Sequence, residues 1–241
     1  MSGDMNTGLG NCLLMVAMIS GFCEMFQIKY RLGDNGDDCA LFIDKSDLSV
    51  VNDNIHDYCL RFGFNLVVDK PVFVFEQINF CQMHPVFDGL RWIMSRDPRT
   101  CIAKDLSCKL TLMSRKTQYA WLKAVGGCGL SMAGNLPVFG AFYHYLTRHE
   151  TDHVLRDTNA FTGLGMMYWG RGVELCYTQP SDASRLSFFL AFGITPDFQA
   201  CIEDYFKLAP CMNPRRMRHD KLDDDTHLIY EEPFLSEALG C

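Results

Sequence analysis

The chain has 241 residues, 48% of them hydrophobic, enough for one large domain or two small ones with a full core, and it contains no long disordered tract. The formal net charge of −7 argues against a general nucleic-acid binder. The charge is uneven, however: residues 1–60 hold 3 Lys/Arg against 9 Asp/Glu, and residues 91–123 hold 8 against 2. An acidic site beside a basic stripe suits an enzyme that holds metal in one place and a polyanion in the next.

Thr7 to about Gln27 has helical apolar spacing, with Asp4 or Asn6 available to cap its start. Its apolar run is broken by Ser20, Gly21 and Glu24, short of the roughly 20 residues of a bilayer span, so a buried helix is expected. Ile28–Leu32 and Cys39–Ile43 read as strands around a turn containing Asn35-Gly36, a strong hairpin signal. Asp47 to Arg61 reads as an amphipathic helix with Leu48, Val51, Ile55, Tyr58 and Cys59 on one side. Asn65–Val68 reads as a strand stopped by Pro71, and Val72–Gln82 as another strand or hairpin. After Pro85 the pattern becomes mainly helical, punctuated by Gly126–Gly129 and Gly163–Gly172. Two helices are well signalled: one begins at Ser181 and ends at Gly193, the next opens with Thr195-Pro196-Asp197. The twelve cysteines contain no Cys-x-x-Cys and mostly sit in apolar segments. They read as reduced core residues of a cytosolic protein.

Chemistry concentrates in "LGDNGDDCALFI", residues 32–43, with three aspartates in five residues. Adjacent carboxylates stay ionised cheaply only when a cation joins them, and hard oxygen donors select Mg²⁺ or Mn²⁺. A pair of such ions clamps the attacking and leaving oxygens of an in-line phosphoryl displacement. Near the start, Thr7 and Asn11 are four apart and share a helix face. A hydroxyl beside an amide can read the hydroxyls of a ribose.

Together, Ser2-Gly3-x-x-x-Thr7-x-x-x-Asn11 and the later strand–Gly36-Asp37-Asp38–strand resemble the palm of viral RNA-dependent RNA polymerases. The wording "SGDMNTGLGNCLLM", "NGDDCALFI", "FEQINFCQMHPVFDG" and "RDPRTCIAKD" is similar to consecutive blocks of the tombusvirus-like, carmovirus-type members of positive-strand RNA viruses. The resemblance is clear from Ser2 to about Lys109 and fades beyond. It implies an α+β fold: a partial palm (helix plus antiparallel Gly-Asp-Asp hairpin) over residues 1–90, then a mainly helical thumb over 91–241. It implies Asp37 and Asp38 as catalytic metal ligands for Mg²⁺ or Mn²⁺, and Ser2, Gly3, Thr7 and Asn11 as contacts to the incoming nucleotide. Phe80, Cys81 and Gln82 fall at the family's primer-grip hairpin, and Arg96, Arg99 and Lys104 are expected on RNA phosphates. Lys70 lies near the position where family members place a general acid, although a solvated lysine at a strand end is the simpler reading.

The implied reaction is template-directed RNA synthesis from nucleoside triphosphates, on an RNA template, in host cytoplasm at membrane-associated sites. The family's other metal ligand lies upstream of the Ser-Gly block, in an Asp-x4-Asp strand, as do its basic finger residues. The chain is therefore expected to be a carboxy-terminal portion that works with upstream fingers and palm and does not polymerise RNA alone. Two other readings compete. One is a non-catalytic RNA-binding or replication-interaction module. The other is a zinc hydrolase built on His149-Glu150-x-x-His153, with His144 or Asp157 as a third ligand. "NPRRMRH", residues 213–219, reads as a basic surface turn.

Overall fold

A computed structural model describes residues 6–107, 115–148 and 176–210. They fall into two compact units, one ending at Met83 and the other beginning at His84. Helices dominate, and two small two-stranded sheets complete a mixed α+β arrangement.

In the first unit, helix α1 spans Thr7–Met25 with Asn6 at its N-cap position. Met15, Ile19, Phe22 and Cys23 recur at helical spacing and form its buried stripe. The expectation of a buried helix holds for that stripe only, because Leu9 and Leu13 are 66% and 61% exposed. By length and composition alone α1, at 19 residues, is also apolar enough to cross a bilayer, a test that the core helix of a soluble protein passes as well. Here its stripe packs with Val51, Ile55, Tyr58 and Cys59 of helix α2, Leu48–Leu60. The buried face of α2 is the one its sequence pattern predicts.

Strands β1, Tyr30–Asn35, and β2, Asp38–Ile43, pair antiparallel from Tyr30↔Ile43 to Asn35↔Asp38. The ladder thus runs three residues further than the sequence implies. Asn35 belongs to the strand, and the two-residue loop is Gly36-Asp37. Gly36 has φ +81°, and Asp37 is not among the residues of positive φ; glycine first in such a loop is the type II′ pattern, whose twist matches the strands. Tyr30 Oη donates to Ser20 Oγ at 2.7 Å, tying β1 to α1.

Asn65–Val68 forms no strand. Its apolar sequence suits one, but it and β2 line the same cleft and have no ladder with each other. Extended backbone without a partner gains no ladder hydrogen bonds. Val72–Gln82 is likewise not a strand: it contains a 3-10 turn at Phe75–Gln77 and ends in a tight turn at Cys81-Gln82. There Phe80 N donates to Met83 O at 2.9 Å and Met83 N to Phe80 O at 3.0 Å.

From His84 on, the second unit opens with a hairpin of β3, Met83–Phe87, whose first residue ends the first unit, and β4, Trp92–Arg96. Its turn is shaped by Asp88, whose Oδ1 accepts from Leu90 N and Arg91 N, both at 2.8 Å. Strand β4 escapes the sequence reading because its five residues are too few to show a period. Helices α3 (Pro98–Asp105), α4 (Arg115–Ala133), α5 (Phe139–Thr147), α6 (Asp182–Phe192) and α7 (Pro196–Leu208) follow. The last two start and stop where expected: Ser181 Oγ accepts from Ser184 N at 3.2 Å, Gly193 adopts φ +73°, and Pro196 follows Thr195. Trp121, Phe139, Phe142, Phe188 and Phe206 form the centre of the core.

Gly126–Gly129 does not punctuate the chain; it lies within α4. A Cβ at Gly126 would sit 2.7 Å from Tyr143 O, and one at Gly129 would enter the Tyr143 ring. Close approach of α4 and α5 explains glycines in mid-helix, despite their weak helix propensity. Buried Asp105 then collects three partners: Tyr143 Oη at 2.6 Å, Cys101 Sγ at 3.1 Å and Arg96 Nη2 at 3.1 Å. Burial, with the Asp105 charge beside it, pushes the Cys101 thiol up to about 12. Of the nine described cysteines, all free, Cys23, Cys59 and Cys101 are core residues, whereas Cys201 is exposed on α7 despite its apolar setting in sequence.

Gly129→Ala is expected to lower unfolding stability by about 1–3 kcal/mol through overpacking, measured by denaturant titration, while Gly127→Ala, which meets nothing within 4 Å, gains a few tenths. Asp105→Ala is expected to cost about 3–5 kcal/mol, because it strands the Arg96 charge and the Tyr143 hydroxyl; exposed Lys104→Ala in the same titration stays near zero.

Candidate active site

The β1–β2 loop carries the Asp37 and Asp38 carboxylates to the surface, where both are exposed. Its backbone is fixed by the ladder on one side and by α1 on another: a Cβ at Gly36 would lie 3.5 Å from Asn11 Cβ. The loop is therefore seated on the helix face that carries Asn11. Behind it, Asp34 faces Cys12 of α1, and hydrogen bonding to Asp34 first, then burial, pushes the Cys12 thiol up. Asp34 Oδ1 is buried without a hydrogen-bond partner. Burial, followed by the charges of Asp34 and Asp38, likewise raises Cys39. Negative charge thus dominates this end of the hairpin.

A cleft of about 970 Å³ opens beside the loop. Asn11, Asp37, Asp38 and Phe80 line it together, as do Lys45 and Lys70. Thr7, one turn before Asn11 on α1, is half-buried and not part of the lining. Ser2 and Gly3 lie outside the described residues, as do His149, Glu150, His153 and the basic cluster at 213–219. His144 is exposed and stacks on Tyr177, with ring centroids 4.6 Å apart.

Cys81 and Gln82 occupy the tight turn, and Cys81 Sγ accepts from Asn35 Nδ2 at 3.0 Å. Asn35 directly precedes the acidic loop, so the two turns are joined through its side chain. Sequence reasoning treats Asn35 only as a turn former; its adjacency to Gly36 is the signal that conceals this second role.

The basic residues of the second unit expected at RNA phosphates, Arg96, Arg99 and Lys104, differ in their surroundings. Arg96 bonds buried Asp105, and Arg99 Nη1 bonds Asp97 Oδ2 and Phe192 O, each at 3.2 Å. Lys104 is exposed.

Asp37 and Asp38 offer hard oxygen donors of the kind Mg²⁺ and Mn²⁺ prefer. Two carboxylates on one loop fit part of a coordination shell. Among the described residues no group of three or more His, Cys, Asp or Glu side chains could enclose an ion.

The model of a family described as viral RNA dependent RNA polymerase matches residues 1–211. The RNA-directed RNA polymerase of tobacco necrosis virus (strain A) is 44% identical over 207 residues, covering 86% of this chain and 28% of that protein. Those of oat chlorotic stunt virus and carnation mottle virus are 39% and 40% identical, covering 86% and 84% of this chain but 29% and 26% of theirs. The chain thus spans under a third of the length of these relatives. By the match of its first 211 residues, and by its likeness to the enzymes of tombusvirus-like and carmovirus-like plant viruses, it belongs to the viral RNA-dependent RNA polymerase family.

Proposed function

We propose that this chain supplies the later palm and the thumb of a viral polymerase that copies an RNA template from ribonucleoside triphosphates. The observation that carries the reading is the Gly36-Asp37-Asp38 loop, seated against Asn11 at the edge of a cleft that Phe80 also lines. The first unit corresponds to the palm portion and the helical second unit to the thumb.

Asp37 and Asp38 hold a divalent cation, with Asp37 the principal ligand and further oxygen donors coming from elsewhere in the longer polymerase. When bound, that ion neutralises charge developing on the phosphates during nucleotidyl transfer. The chain's own residues orient the reactants. Asn11 and Thr7, on one face of α1, meet the ribose hydroxyls, and Ser2 and Gly3 are assigned to the same nucleotide. The Phe80-Cys81-Gln82 turn holds the growing strand's 3′ end. In the second unit Lys104 offers an exposed charge to RNA phosphate. Arg96 and Arg99 act there only as already paired groups, which lowers what each can add.

The remainder of the polymerase covers apolar surface that an isolated domain would not leave open. Leu9 and Leu13 on α1, and Val67 and Phe73 beside the cleft, are between 61% and 83% exposed. A surface of that kind marks an interface.

The test is primer extension by the full-length polymerase carrying Asp37→Ala in Mg²⁺. Extension is expected to vanish while RNA binding persists, with the binding still weakening as salt rises. Retained extension contradicts the assignment.

A further inference from the structure

We propose that Asn35 is a positioning residue: its side-chain amide fixes the Cys81-Gln82 turn relative to the acidic loop, and so sets where a strand end held by that turn meets the carboxylates. The inference rests on the reading of the site as a polymerase centre and adds to it a residue that acts only through others.

Three observations converge on it. First, Cys81 and Gln82 have φ +53° and +58°. A two-residue turn with both central residues left-handed is the type I′ form, which ordinarily uses Asn-Gly, Asp-Gly or Gly-Gly. Neither cysteine nor glutamine relieves the steric cost, and such strain persists where surrounding contacts over-determine the backbone. Secondly, a hydrogen bond reaches this turn from outside its own hairpin, Asn35 Nδ2 to Cys81 Sγ at 3.0 Å, spanning 46 residues of sequence. Thirdly, Asn35 cannot drift: it closes the β1–β2 ladder opposite Asp38, one residue before Gly36. The amide thus extends from a residue paired in the β1–β2 ladder and touches a turn of strained backbone. Thiol sulfur is a weak acceptor, so the bond is suited to setting geometry rather than to supplying stability.

A shift of about an ångström in a reacting group lowers rate on the order of a hundredfold, so loss of a weak tether should lower it by about tenfold. The experiment is a double-mutant cycle in the full-length polymerase with Asn35→Ala, Cys81→Ala and the double variant. It follows single-nucleotide extension of a pre-annealed RNA primer–template, together with RNA affinity, nucleotide KM and melting temperature. Each single variant is expected to extend about tenfold more slowly with RNA affinity, nucleotide KM and melting temperature held, and the double variant to be no slower than the worse single. Losses that multiply, or that appear equally in RNA affinity and melting temperature, overturn the proposal. If Asn35→Ala fails to fold, Asn35→Ser takes its place in the same cycle with the same criteria. Asp37→Ala in parallel separates the two readings: an active Asp37→Ala refutes the polymerase site, whereas an inactive one beside a multiplicative cycle refutes only the role of Asn35.

Discussion

Two neighbouring carboxylates, Asp37 in a two-residue loop and Asp38 at the start of β2, repel each other, and the backbone of the first unit holds them side by side nonetheless. Gly36 supplies the positive φ that turns the chain within two residues. The β1–β2 ladder closes at Asn35↔Asp38, directly under the loop, and α1 blocks retreat at Asn11. A carboxylate pair so held has little freedom to relax apart. A cation joining the two carboxylates would offset their repulsion, which is the role proposed above for the loop.

The rest of the unit supports that loop in layers. Tyr30 and Ser20 pin the strand to the helix, and the stripe from Met15 to Cys23 anchors the helix to α2. Asn35 extends the same rigidity to the Cys81-Gln82 turn. The second unit is built on a different logic, in which helices approach closely over Gly126 and Gly129 and a buried aspartate gathers the neighbouring donors. Arg96 serves that interior, whereas Arg91, Lys104, Lys116 and Lys123 of the same basic stretch are exposed.

How legible all this is in the sequence depends on the range of the physics involved. The caps of α6 and α7, the buried face of α2 and the existence of the β1–β2 hairpin are local, and Ser181, Gly193, Pro196 and Gly36 announce them. The missing strand at Asn65–Val68 is not local, because a strand is defined by a partner and this one faces a cleft. Gly126–Gly129 misleads for a similar reason: the helix tolerates glycine there because of Tyr143, 14 residues beyond Gly129. Among the expected site residues, Asp37, Asp38 and Asn11 line one cleft. The engagement of Arg96 by Asp105, and of Cys81 by Asn35, is set by tertiary contact and leaves no trace in the local pattern.

The most direct measurement is site-directed backbone cleavage by Fe²⁺ substituted for Mg²⁺ in the full-length polymerase, where radicals generated at a bound ion cut the nearest chain. Cuts clustered at residues 35–38, with weaker ones near Asn11 and Phe80 and all suppressed by excess Mg²⁺, are the predicted result. Cleavage that spares the Gly36-Asp38 loop while striking elsewhere would contradict the claim that this acidic turn exists to grip a divalent ion.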